Sequence, residues 1–236
     1  MAPKVPEVIV CASEVDLQHE LARIQTSLAV EETEESWDAL SNALLRLTAL
    51  CKGGACDHPS FLISGLRSMS RSITSAASSE RSRLSAAAME CISIVASGLG
   101  GDFEPLVPLF LPTLLALCSR PNKVFVSRSK ATIRTVIEQT QLPSVLPILV
   151  DALKDKSVSM RLIAVESICS CLNCLNPPDL EKESRARDIE KAIRQTATDA
   201  SGDIRKISRN VFDAYKILLP NRVERYVLYR CFARIA

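Results

Sequence analysis

The chain has 236 residues, 47% of them apolar, with only seven glycines and 4% aromatic side chains. That length is large for one compact core but ordinary for a solenoid that adds modules side by side, and so little glycine and aromatic content disfavours a β-sandwich or barrel. Twenty-nine basic against 27 acidic side chains leave a net charge of +2, far below what a sequence-independent nucleic-acid binder carries.

The nine cysteines are odd in number and sit inside apolar helical patterns without a framework spacing. They read as buried free thiols of a reducing, intracellular compartment. The opening MAPKVPEVIVCAS is too short and too weakly flanked for an export signal. The longest apolar stretch, residues 105–118, is interrupted by Pro108 and Pro112 and is too short to cross a bilayer. No membrane partner is expected.

In chain order, residues 1–13 form a flexible lead-in, and residues 14–236 are expected to make a single domain. The spacing predicts a first helix over 15–29, with Leu17, Leu21, Ile24 and Leu28 on one face. A second runs over 33–51, with Thr33 as N-cap and Leu40, Leu44, Leu47 and Cys51 as its stripe. Trp37, the only tryptophan, stands at the N-terminal edge of that stripe, where it either plugs the core or meets a partner beside an interhelical loop. His58-Pro59 opens the next helix, carrying Phe61, Leu62 and Leu66. The serine-rich stretch 68–79 reads as a flexible connection, with phosphorylation beside Arg81 as the sharper alternative.

A long helix follows from near Arg81, with Leu84, Ala88, Cys91, Val95 and Leu99 buried and Gly98, Gly100 and Gly101 stopping it. Residues 103–118 supply its apolar partner. Asn122 caps a helix carrying Val126, Ile133, Val136 and Ile137, and Pro143 starts another through Val145, Leu149 and Leu153. Ser157 caps a helix with the stripe Val158, Leu162, Val165, Cys169 and Leu172. Helices over 179–198 and about 202–218 complete the series, and a last one runs towards Ile235. Cys91, Val95, Leu162, Val165, Cys169 and Val211 are expected in the inter-repeat core.

No strand is credible. First helices beginning near Thr33, Arg81, Lys123, Ser157 and Gly202 give steps of about 48, 42, 34 and 45 residues, which bracket the two-helix HEAT period of roughly 40 to 47. The expected fold is all-α, a short α-solenoid of about five HEAT-like hairpins with an extra leading helix.

The starts of those first helices share positive charge: Arg81 and Arg83; Lys123 and Arg128; Lys154, Lys156 and Arg161; Arg205, Lys206 and Arg209. A cation in a first turn opposes the helix dipole by about 0.3–1 kcal/mol. These residues are either solvated helix ends, partly neutralised by Glu80, Asp151, Asp155 and Asp203, or a row of cations along one edge suited to an acidic protein surface. No nucleophile–base pair, phosphate-cradling loop or metal-ligand spacing stands out. Cys169, Cys171 and Cys174 point in different directions on one helix, which disfavours zinc. An enzyme, a cofactor and a small-molecule substrate are therefore not expected.

The run ERSRLSAAAMECISIVASGLGGDFEPL, then NKVFVSRSKATIRTVIEQTQLPSVLPIL, KDKSVSMR and DASGDIRKISRNVFDAYKILLP resembles the TOG domain of the CLASP family over nearly the whole chain. The family's TOG domains are flat HEAT paddles that engage tubulin through one edge. ETEESWDAL is similar to the family's tryptophan at the first tubulin-facing turn. The resemblance implies tubulin-facing roles for Trp37, Arg81, Lys123, Lys156 and Arg205, with Arg209 one turn later. It departs from the family pattern just after Trp37, where a basic residue is common and this chain has Leu40. Family members also carry further TOG domains and a basic, serine-rich region, so the chain is expected to be either one excised domain or an unusually short relative, and the resemblance implies binding to the tubulin dimer or the microtubule lattice. The associated role is promoting rescue and suppressing catastrophe in the cytoplasm, on microtubules and the mitotic spindle. The rival readings are a HEAT scaffold for another protein and a HEAT-type DNA glycosylase; low net charge and sparse aromatics count against the second.

Overall fold

A computed structural model of the chain describes residues 5–223. The described residues are helical throughout, without a strand, and gather into two compact units divided between Leu117 and Cys118. The expected helix towards Ile235 lies outside the described residues.

In the first unit, α1 (Glu14–Leu28), α2 (Trp37–Lys52), α3 (Pro59–Ser78), α4 (Ser82–Leu99) and α5 (Val107–Leu117) are joined by short links, two of them 3₁₀ turns at Ala55–Asp57 and Gly100–Leu106. Helices α2 and α4 pack against each other as one layer, and α1, α3 and α5 pack in series as the second. The predicted stripes of α1, α2 and α4 are all buried. The second unit repeats this scheme. Helices α6 (Lys123–Thr140), α8 (Val158–Cys174) and α11 (Gly202–Leu218) are successive neighbours, while α7 (Val145–Ala152) packs on α10 (Glu183–Ala197). Two short helices, α9 (Pro177–Glu181) and α12 (Pro220–Val223), flank this layer. Both units are built of HEAT-like hairpins.

Local chemistry explains the helix starts. Ser13 Oγ accepts the Asp16 amide at 3.2 Å, Asn122 Oδ1 the Val124 amide at 2.9 Å and Ser157 Oγ the Met160 amide at 3.3 Å. Thr33 caps a turn that leads into α2 rather than α2 itself. Its hydroxyl accepts the Ser36 and Glu35 amides, and Ser36 Oγ accepts the Thr33 amide in return.

Several expectations are corrected. Residues 68–78 are not a loop: they continue α3, extending the buried ladder of Leu66 through Met69, Ile73 and Ala77 at helical spacing, and only Ser79, the C-cap, is extended. The hydroxyls of Ser68, Ser70 and Thr74 donate to carbonyls three or four residues back, the usual accommodation of such residues within a helix. The segment before Ser13 is docked at Ile9, whose amide donates to Ala49 O at 2.9 Å. Gly53 permits this, because a Cβ there would lie 1.9 Å from the Ile9 carbonyl oxygen. Gly98 lies inside α4 against Cys56, and Gly100, at φ +52°, ends the helix. The partner expected over 103–118 begins as a 3₁₀ turn that holds Pro105, and α5 itself starts at Val107.

Helix α8 is rotated from its predicted face. Ile163, Ala164, Val165, Ile168, Cys171 and Leu172 are buried, Leu162 and Cys169 only half-buried, and Val158 exposed. Because α8 touches α6, α7 and α11, its buried surface is broad, and the Ala164–Ile168–Cys171 ladder competes with the predicted one. Cys91, Val95, Val165 and Val211 are fully buried as expected. The helix expected over 179–198 is broken at Lys182, whose extended backbone (ψ 129°) separates α9 from α10.

Candidate functional site

Trp37 is the first residue of α2 and is half-buried. It neither plugs the core nor stands free. Arg81, the N-cap of α4, brings its guanidinium carbon to 5.3 Å from the Trp37 ring centroid, a cation–π contact. The same guanidinium pairs with Glu34 at 2.6 Å and Glu32 at 3.5 Å, both from the α1–α2 link. Glu32 is itself held by the Ser79 hydroxyl, which donates to it at 2.6 Å, and Ser79 Oγ also accepts the Arg81 amide. Arg83 pairs with Asp38 at 3.0 Å. Leu40, one turn after Trp37, is buried. The start of α4 is therefore positive in composition but locally neutralised by carboxylates from the α1–α2 link and the first turn of α2.

In the second unit, Lys123 opens α6 and Lys156 lies in the α7–α8 link; both are exposed, and neither ammonium has an ion-pair partner among the described residues. Arg205 differs. From the first turn of α11 it donates back to the carbonyls of Asp199 at 2.6 Å and Ala200 at 2.9 Å. Arg209 is exposed one turn later.

The Arg205 arrangement is repeated one helix pair earlier. Arg161 donates to the carbonyls of Asp155 and Lys156, both at 3.0 Å. Its other two nitrogens clamp the Asp199 carboxylate at 2.8 and 3.0 Å. Asp155 and Asp199 each accept the amide two residues on, of Ser157 and Ser201, at 2.7 and 2.8 Å. The pattern is Asp-x-Ser-x₃-Arg, present twice (Asp155–Ser157–Arg161 and Asp199–Ser201–Arg205) and visible in the sequence, where the arginines alone read as part of a cationic row. The Arg161 guanidinium holds the Asp199 carboxyl below the usual carboxylate range. This device fixes the α7–α8 and α10–α11 links and so sets where Lys156 is presented.

The eight described cysteines are free thiols. Burial pushes the Cys91 and Cys118 thiols up to about 12, the behaviour of inert core cysteines. Among the described residues, no three His, Cys, Asp or Glu side chains converge in a metal-binding arrangement.

HEAT-like helical hairpins, without a strand among the described residues, define the class: a helical-repeat module. The chain belongs to the CLASP N-terminal family, whose pattern it matches over residues 17–229. It is 26% identical over 196 residues to Protein stu-1 of Neurospora crassa, covering 81% of this chain and 17% of that protein. It thus spans less than a fifth of that curated relative. The TOG domain of C. elegans Zyg9 superposes with a TM-score of 0.62 at 15% identity, covering 96% of this chain and 82% of that one. A chain solved for the structural basis of microtubule plus end tracking by XMAP215, CLIP-170 and EB1 superposes with a TM-score of 0.65 at 17% identity, covering 91% and 92%.

Proposed function

We propose that this chain binds tubulin, as dimer or lattice, and contributes to microtubule regulation by promoting rescue and suppressing catastrophe, with residues 14–236 acting as one domain. The carrying observation is the half-buried Trp37 with Arg81 stacked on its ring, in a chain of the CLASP N-terminal family. A large amphipathic ring at a helix start offers contact area at little conformational cost, and aromatic and arginine anchors dominate interface energetics. Lys123, Lys156 and Arg209 supply exposed cations for acidic tubulin segments. Arg205, tied to two carbonyls, contributes through its remaining donors and the loop it holds. Such a role needs binding rather than catalysis and no cofactor. It places the protein in the cytoplasm, on microtubules and the spindle, without nucleic-acid, membrane or small-molecule partners.

The test is binding of the folded chain to tubulin dimers and, separately, to duplex DNA. Capture of tubulin, lost on Trp37→Ala, supports the reading. Capture of DNA alone, or tubulin binding indifferent to Trp37, overturns it.

A further inference from the structure

We propose that Glu34 is an intramolecular competitor that sets the affinity of the Trp37–Arg81 site by occupying the guanidinium an acidic partner would engage, an inference that rests on the tubulin-binding reading. The two carboxylates on Arg81 differ in character. Glu32 is partly covered, receives the Ser79 hydroxyl at 2.6 Å and approaches Arg81 Nε. It holds the guanidinium beside the Trp37 ring. Glu34 has an 85% exposed side chain, and its sole ion pair among the described residues is the 2.6 Å contact with Arg81. It engages Nη2 rather than the Nε that Glu32 approaches, and its own exposed side chain holds a place that a carboxylate arriving from solvent could take.

An acidic residue of a partner can take the Glu34 position only by displacing it. The pair is exposed and individually weak, but it is intramolecular, so Glu34 competes at a high effective concentration. Exchange of one carboxylate for another also leaves the number of Arg81 ion pairs unchanged. Arg81 therefore adds little to the salt dependence of binding in the native chain, and more once Glu34 is neutral. Lys123 and Lys156, which have no such carboxylate, carry most of that dependence.

Trp37 is the only tryptophan, so its fluorescence reports this site directly. Glu35 is the charge-matched control: it is exposed in the same link, interacts with Thr33 and makes no ion pair among the described residues. Glu34→Gln and Glu35→Gln remove the same charge, but only the first frees Arg81.

Two measurements on the full chain decide the matter. Quenching of Trp37 by iodide, an anion drawn to an unpaired guanidinium, is expected to rise more in Glu34→Gln than in Glu35→Gln, with quenching by neutral acrylamide equal in both. Affinity for tubulin at low salt is expected to rise roughly two- to fivefold in Glu34→Gln, with a steeper salt dependence, and to change less in Glu35→Gln. Equal iodide quenching in the two variants, or equal gains in affinity, overturns the proposal. If the native chain and Trp37→Ala bind tubulin alike, the functional reading fails, while the iodide comparison still decides whether Glu34 masks Arg81.

Discussion

The Arg161 clamp gives a prediction whose size follows from its geometry. Arg161→Ala removes two bonds to the Asp199 carboxylate, at 2.8 and 3.0 Å, and two to the carbonyls of Asp155 and Lys156. The side chains of Arg161 and Asp199 are only 14% and 9% exposed, so truncation leaves a largely covered carboxylate without its main partner. Breaking a fully buried pair costs about 3–5 kcal/mol and hydrogen bonds to charged groups contribute about 1.5–3 kcal/mol. Partial exposure and water entering the gap place the expected loss near 2–4 kcal/mol. For a unit of this size that lowers the melting temperature by roughly 10 °C. Calorimetry and urea unfolding, followed by helical circular dichroism, measure it. Arg161→Lys is not rescued, because an ammonium cannot hold a carboxylate bidentately and reach two carbonyls at once. A melting temperature within about 2 °C of the native chain in Arg161→Ala refutes the reasoning.

Because Asp199 has a lowered folded-state pKa, its contribution is fully present above the ordinary carboxylate value of about 3.9 and is lost as pH falls through the folded value. Asp199→Asn therefore lowers stability at neutral pH and flattens its decline below about pH 4, read by urea unfolding across pH. Ile168→Ala in the buried face of α8 is expected to cost about 2–5 kcal/mol, and Leu162→Ala clearly less because Leu162 is only half-buried; equal losses would contradict the rotated face. Arg205→Ala should lower thermal stability by about 1–2 kcal/mol through its two carbonyl bonds. Lys123→Ala should leave it within about 0.5 kcal/mol. A destabilised Lys123→Ala, or a fully stable Arg205→Ala, would reverse the roles assigned to these cations.

The fold was legible because apolar periodicity, caps and repeat spacing agree: the stripes of α1, α2 and α4 and the caps Asn122 and Ser157 stand where the sequence places them. Serine-rich composition misleads where an apolar ladder runs beneath it. In residues 68–79 the serines hid the Leu66–Met69–Ile73–Ala77 ladder that makes the segment helical. In α8, two apolar ladders compete, and only contact with three neighbouring helices decides which is covered. Trp37 is half-buried and so does not plug the core, a degree of exposure that periodicity alone left open. What a cation at a helix start does was not legible. Arg81 and Arg83 meet carboxylates from other segments, Arg161 and Arg205 fold back onto their own links, and Lys123 and Lys156 carry no ion pair among the described residues. The ion pairs among these join residues 38 to 49 positions apart, as in Arg161–Asp199 and Arg81–Glu32, which local patterns do not connect. The repeated Asp-x-Ser-x₃-Arg was the one clue present in the sequence.

The proposed recognition of tubulin through Trp37 is decided by the affinity of folded Trp37→Ala and Lys123→Ala variants for tubulin at low and moderate ionic strength. Trp37→Ala is expected to lose about 2 kcal/mol or more of binding at both salts, whereas the smaller loss in Lys123→Ala should fade as salt screens it. Both variants should keep native helical circular dichroism. Folded variants that bind as tightly as the native chain at both ionic strengths would contradict the account.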